Sequence, residues 1–128
     1  MELISIFIQK HYEFMKDIDE LINEYKKMTF ICSQIDYSDM RSVKCNNKAV
    51  DRMYEIVNLI KKEYAEEGIY RFSKLLDIET DRTNIWAAVQ MLEKFTVDSI
   101  TEEKALNIIK KDAETSIGMQ YWLKDYFS

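Results

Sequence analysis

Phe7, His11, Phe14, Ile18, Leu21, Tyr25 and Met28 follow one another at alternating steps of four and three. That spacing lays one apolar stripe along a helix and predicts a long N-terminal helix. Glu20 and Glu24 are like charges one turn apart, so packing rather than surface pairing must hold it. Over 29–48, TFICSQIDYSDMRSVKCNNK, the pattern lapses. Ser, Thr, Asn and Asp offer the backbone alternative hydrogen bonds, and the stretch predicts a long loop with at most a short helical turn. A connection of that length in a compact domain is expected to be functional or mobile.

Val50, Met53, Val57, Ile60 and Tyr64 restore the helical spacing and predict a second helix from about Asn47 to Glu66. Gly68 is expected to end it in the left-handed conformation. A short third helix runs from Ile69 to Leu76, and the polar link DIETDRT (77–83) precedes a fourth, NIWAAVQMLEKF. Thr83 or Asp81 is the expected cap of that helix. SITE, Ser99 to Glu102, has the spacing of a capping box. It opens a fifth helix with Ala105, Leu106, Ile109 and Ala113 on its apolar side. Thr115 or Ser116 caps a sixth, where Met119, Trp122, Leu123 and Tyr126 share a face.

Short links make consecutive helices antiparallel neighbours. Serial hairpins of this size predict an all-α chain of the α–α superhelix type, a HEAT- or armadillo-like stack of short antiparallel helices with a long N-terminal helix. An irregular helical bundle is the competing architecture. Trp86, Ala87 and Ala88 cover more than half the girth of the fourth helix, because successive residues point about 100° apart. Ala88 is expected to join Ile85, Val89 and Leu92 on the inner face, with Ala87 turned to an approaching helix. Small side chains let backbones come close, and the indole fills the space beside them.

Composition agrees with helices. The chain of 128 residues has no proline and two glycines, Gly68 and Gly118, with 47% apolar residues. This is the size of one domain with its own core, taken as 1–128. A net charge of −5 disfavours direct nucleic-acid binding and suits a basic protein partner. Cys32 and Cys45 are too few for a disulfide framework or a zinc site and read as reduced cytosolic thiols. The opening MELISIFIQK lacks a basic leader and a small-residue cleavage site, so no signal peptide is expected. No apolar run is long enough to span a bilayer.

Leu75–Leu76, the Trp86–Ala87–Ala88 helix, Lys104–Ala105–Leu106 and Trp122–Leu123–Lys124 together resemble a small bacterial HEAT-like helical family of unknown function. The resemblance covers roughly residues 48–127. The chain departs from the family pattern by having no proline in the link and by carrying Gly118 in the last helix. Some members are immunity proteins encoded beside contact-dependent or polymorphic toxins. The resemblance implies a binding protein and brings no catalytic residues.

The chemistry points the same way. His11 is the sole histidine, which removes sites needing two imidazoles. It lies on the apolar stripe and reads as a packed, hydrogen-bonded residue. Two isolated glycines make no phosphate loop. Carboxylates cluster at helix ends and in links, where solvent keeps them from acid–base work; no enzymatic role, cofactor or metal is expected. Asp36, Tyr37 and Asp39 in the first link, with Asp77, Glu79 and Asp81 in the later one, are the candidate partner-binding residues. They suit the basic active-site surface of a nuclease toxin, with charge steering the encounter and Tyr37 anchoring it. The expected partner is a cognate toxin domain met in the cytoplasm, by a monomer or a dimer. A HEAT-like adaptor without a toxin partner is the alternative.

Because the alanines predict close helix approach, Ala88→Leu is expected to overpack the core. The cost should be about 1–3 kcal/mol, read as a lowered midpoint in thermal or urea unfolding. An unchanged unfolding curve would contradict the placement.

Overall fold

A computed structural model describes residues 17–128, and among these the chain is all helical, with six α-helices and no strand. They are α1 (Ile18–Ser33), α2 (Met40–Glu63), α3 (Ala65–Phe72), α4 (Thr83–Lys94), α5 (Ser99–Ala113) and α6 (Ile117–Tyr126). Two short 3-10 turns, Ser73–Asp77 and Thr80–Arg82, join α3 to α4. Phe7, His11 and Phe14 of the predicted N-terminal stripe lie outside the described residues.

The predicted long loop over 29–48 is mostly helix. α1 continues to Ser33 and α2 begins at Met40, seven residues before the expected start at Asn47. Most of the polar residues that hid it sit outward or cap the ends, while Thr29 is buried. The Asp39 carboxylate accepts from Arg41 N at 2.9 Å and starts α2, while Ser42 Oγ accepts from Asp36 N at 2.8 Å. The stripe on α1 drifts as a straight helix must: Ile18, Leu21 and Tyr25 are buried as expected, then Thr29 and Cys32 take the place of Met28. α1 and α2 pack along their lengths across a six-residue link, 34–39, which makes them antiparallel. Arg52 of α2 clasps Glu24 of α1 with Nε and Nη2 at 2.6 and 2.9 Å.

Gly68 does not end a helix. It is buried within α3 and has no positive φ. The break falls earlier, at Ala65, whose φ is 49°. Gly68 is needed for space: a Cβ there would stand 2.5 Å from Tyr64 Cβ and 2.9 Å from Ile60 Cγ2. The third helix therefore spans Ala65–Phe72, and the predicted stretch to Leu76 finishes as a 3-10 turn.

α4 packs against α1, α2, α5 and both 3-10 turns. Ala87 and Ala88 are fully buried, and Trp86 packs half-buried against the core. The most buried seam is Thr83, Ala87, Gln90 and Met91, not Ile85, Val89 and Leu92, which are half-buried on the other side. The correction has a polar cause. The Tyr25 hydroxyl donates to Gln90 Oε1 at 3.0 Å, and Thr29 Oγ1 lies 2.8 Å from Thr83 Oγ1. Two polar side chains of α4 are thus drawn inward to meet partners on α1. Tyr25, Phe72 and Phe95 meet edge to face beside this seam, with centroids 4.9 and 5.6 Å apart.

The later helices follow the expected pattern. Ala105, Leu106, Ile109 and Ala113 are the buried residues of α5, and Ser116 Oγ caps α6 by accepting from Met119 N. The cap of α5 is Asp98, one residue before the predicted Ser99; its carboxylate accepts from Thr101 N at 2.7 Å. α6 has no fully buried residue, but Met119, Trp122 and Leu123 lie against the core. Glu93 ties it in by accepting from Trp122 Nε1 at 3.0 Å and from the Tyr54 hydroxyl at 2.9 Å. Burial, reinforced by that carboxylate, pushes the Tyr54 pKa up to about 12.

Glycine inside a helix ordinarily costs about 1 kcal/mol relative to alanine. Here the sign should reverse. Gly68→Ala is expected to destabilise the protein by about 1–3 kcal/mol, measured by urea unfolding, and a stabilised variant would contradict the close packing of α2 on α3.

Candidate protein-binding site

The first candidate group sits in the tight link 34–39. Asp36 accepts from Ser38 N at 2.9 Å and from Ser38 Oγ at 2.6 Å. These hydrogen bonds hold its carboxyl below the usual aspartate range. Asp39 is the α2 cap. Both carboxylates therefore shape the turn while remaining exposed. Tyr37, between them, is 83% exposed.

The second group lies in the segment 77–82, which runs along α5 as a strap. Asp77 meets Lys104 Nζ at 2.6 Å near its start. Arg82 forks onto Asp112 at its end, with Nη1 and Nη2 at 2.9 and 2.8 Å. Asp112 is only 10% exposed in its side chain, so this ion pair is better shielded than an ordinary surface pair. Asp81 and Arg82 both adopt left-handed backbone, with φ of 56° and 59°. Such conformations cost of order 1 kcal/mol each for non-glycine residues. The fork at Arg82 and the Asn84 N to Ile78 O bond of 2.8 Å hold the segment in place. This geometry corrects the expected capping of α4. Arg82 occupies the cap position but its side chain makes no capping bond to the helix, and Thr83 Oγ1 instead donates to Thr80 O at 2.8 Å.

The two groups are fixed by different neighbours, the first by the start of α2 and the second by ion pairs to α5 and by packing of residues 80–82 on α1 and α4. Asp77 and Glu79 line one broad groove of about 1260 Å³ between the strap and α5; Asp81, Asp36, Tyr37 and Asp39 are not on its walls. Ile78, Ile85, Ile100 and Ile108 also line it, and Ile100 is 79% exposed. Sequence reasoning missed Ile100, Glu103 and Lys104 as site residues. A signal existed: Ile100 lies about 180° around α5 from the centre of the buried face, which marks an apolar residue the core does not use.

Cys32 and Cys45 are free, and burial pushes the Cys32 thiol up. Among the described residues no group of three or more His, Cys, Asp or Glu side chains is placed to hold a metal ion. No helix there is long and apolar enough to cross a membrane. Compared with known proteins, the chain matches no protein-family model, no curated protein and no solved structure.

The hydrogen bonds at Asp36, and chiefly Lys104 beside Asp77, lower both carboxyls from the ordinary value of 3.8. Their contributions to folding are therefore complete above that value and are lost as pH falls through the lowered one. NMR titration of the side-chain carboxyls should place both midpoints under 3.8. Lys104→Ala should move Asp77 most of the way back and leave Asp36 unchanged. An Asp77 midpoint indifferent to Lys104→Ala would contradict the pinned strap.

Proposed function

We propose that the protein is a cytoplasmic immunity protein. It binds the toxic domain of a contact-dependent or polymorphic bacterial toxin, a nuclease, and blocks its active site. In this reading the antiparallel helices form a HEAT-like α–α superhelix whose acidic links face the partner. Tyr37 carries the reading: an aromatic ring 83% exposed, set between two aspartates in a turn that those aspartates themselves stiffen.

A nuclease must present cations where it grips a phosphodiester backbone. Carboxylates on the inhibitor match that surface, speed the encounter and weaken as salt rises. An anchoring tyrosine supplies the short-range hold, since it fills a pocket with little loss of side-chain freedom. The resemblance carried by the Trp86–Ala87–Ala88, Lys104–Ala105–Leu106 and Trp122–Leu123–Lys124 motifs supports the same reading. The inhibition is steric and electrostatic, and no bond is made or broken.

A second reading, a helical adaptor with no toxin partner, draws on the isoleucines of the groove, because an exposed apolar strip suits a scaffold more than an acidic rim does.

Co-expression with the product of the adjacent gene separates the two. Wild-type protein should restore growth when that product is toxic. Tyr37→Ala should weaken the complex about tenfold or more. Asp36→Asn with Asp39→Asn, which keep hydrogen-bonding side chains at the turn, should slow association and flatten its salt dependence. A harmless neighbour, or a toxic one that the protein does not neutralise, contradicts the immunity reading.

A further inference from the structure

We propose that the 77–82 strap is a latch: it opens as a unit while the helices stay packed, and the Arg82–Asp112 ion pair holds it shut. In the open form Asp81 and Arg82 leave the left-handed region, and Arg82 leaves Asp112. The inference goes beyond the binding reading and does not rest on it, because the chain's own contacts set the latch.

Strain supplies the drive to open. Asp81 sits at φ 56° and ψ 21°, and Arg82 at φ 59° and ψ 27°. Neither is glycine, and the left-handed region crowds Cβ against the following carbonyl. Two such residues in a row persist only where their surroundings impose them. Burial imposes little here. None of Thr80, Asp81 and Arg82 is buried, Glu79 is exposed, and Ile78 is half-buried against the core. Packing of residues 80–82 on α1 and α4 supplies part of the hold. A segment with few buried contacts opens at lower free energy than the core around it.

The two ends of the strap are held unequally. The side chains of Asp77 and Lys104 are 62% and 49% exposed, so water and salt weaken that pair. At the other end Arg82 donates from Nη1 and Nη2 to both oxygens of Asp112, whose side chain is largely shielded. A two-pronged pair on a shielded carboxylate is the stronger hold. Arg82 is also one of the two strained residues, so release of the pair releases strain with it. Beyond the fork, Thr83 is bonded to Thr29 of α1, which anchors the start of α4 and confines the opening to the strap. The strap carries Asp77, Glu79 and Asp81, so its state decides how the second candidate group is presented.

Three backbone bonds report the closed form: Arg82 N to Glu79 O at 3.1 Å, Thr83 N to Thr80 O, and Asn84 N to Ile78 O at 2.8 Å. Hydrogen exchange of the full chain reads these amides separately from the body of α4. In the wild type they should open about tenfold or more as often as Met91, by a route that urea barely promotes. Asp112→Asn keeps the shape and one acceptor but loses the charge. It should raise strap opening relative to Met91 by a further factor of about ten. Lys104→Ala should raise it less than Asp112→Asn does. Asp81→Ala, which places a residue less tolerant of left-handed backbone, should also raise it. Strap amides that open only when Met91 does would overturn the proposal. So would an Asp112→Asn variant that speeds Met91 by the same factor, because the ion pair would then serve the whole fold. Should Asp112→Asn fail to fold, the wild-type and Asp81→Ala amides decide alone. Failure of growth rescue contradicts the immunity reading and leaves the latch; the strap amides contradict the latch and leave the immunity reading.

Discussion

The structure depends on how closely other helices can approach α4. Ala87 and Ala88 remove the side chains that would hold its neighbours off, and α1, α2 and α5 all pack against it. Contacts at that range are favourable only if buried polar groups find partners. The seam between α1 and α4 meets the condition in part. Thr29 and Thr83 share a hydroxyl contact, and each also donates to a carbonyl one turn back. Two hydroxyl protons serve three contacts, so at any moment one of the three is without a proton. Gln90 accepts from Tyr25 through Oε1, while its Nε2 has no hydrogen-bond partner among the described residues. Such a seam fixes register more than it adds stability, because a shifted α4 would leave further polar atoms unpaired.

Register at α4 sets the position of the 77–82 strap and of the groove beside it. Thr83 opens α4 and is bonded to Thr29, so the segment ending at Arg82 must leave α1 and reach α5 within a few residues. It does so through two consecutive left-handed residues, and the Arg82–Asp112 fork compensates their strain. The strap, the groove beside it and the carboxylates of Asp77 and Glu79 are consequences of where α4 begins. The Asp36–Tyr37–Asp39 turn is independent of this. It is made by local hydrogen bonds at the end of one hairpin.

The sequence revealed those elements whose burial follows a single apolar stripe. The buried face of α5 was legible residue by residue, as was the wide apolar girth of α4, and the α6 cap at Ser116 was one of the two residues the sequence offered. It concealed elements where polar residues do structural work. Asn46 and Asn47 resemble loop residues, yet both lie within α2, Asn47 exposed and Asn46 half-buried in line with Ala49 and Met53. Thr83 and Gln90 interrupt the apolar pattern of α4, yet they define its most buried seam. Gly68 resembles a terminator because its backbone freedom is visible in sequence, whereas the approach of Ile60 and Tyr64 is not. The carboxylates at the candidate site were legible as groups. Their use was not: Asp36 and Asp39 build a turn, Asp77 pins a strap, and Ile100 and Glu103 join the groove only through tertiary placement.

Native-state hydrogen exchange tests the central role of α4 most directly. If that helix is the last element to come apart, the amides of Ala88, Gln90 and Met91 will exchange only through global unfolding, with an opening free energy equal to that from urea denaturation. Amides of α6, which buries no residue fully, will open at lower free energy. Exchange in α4 that is as fast as in α6, or that occurs without global unfolding, contradicts the account.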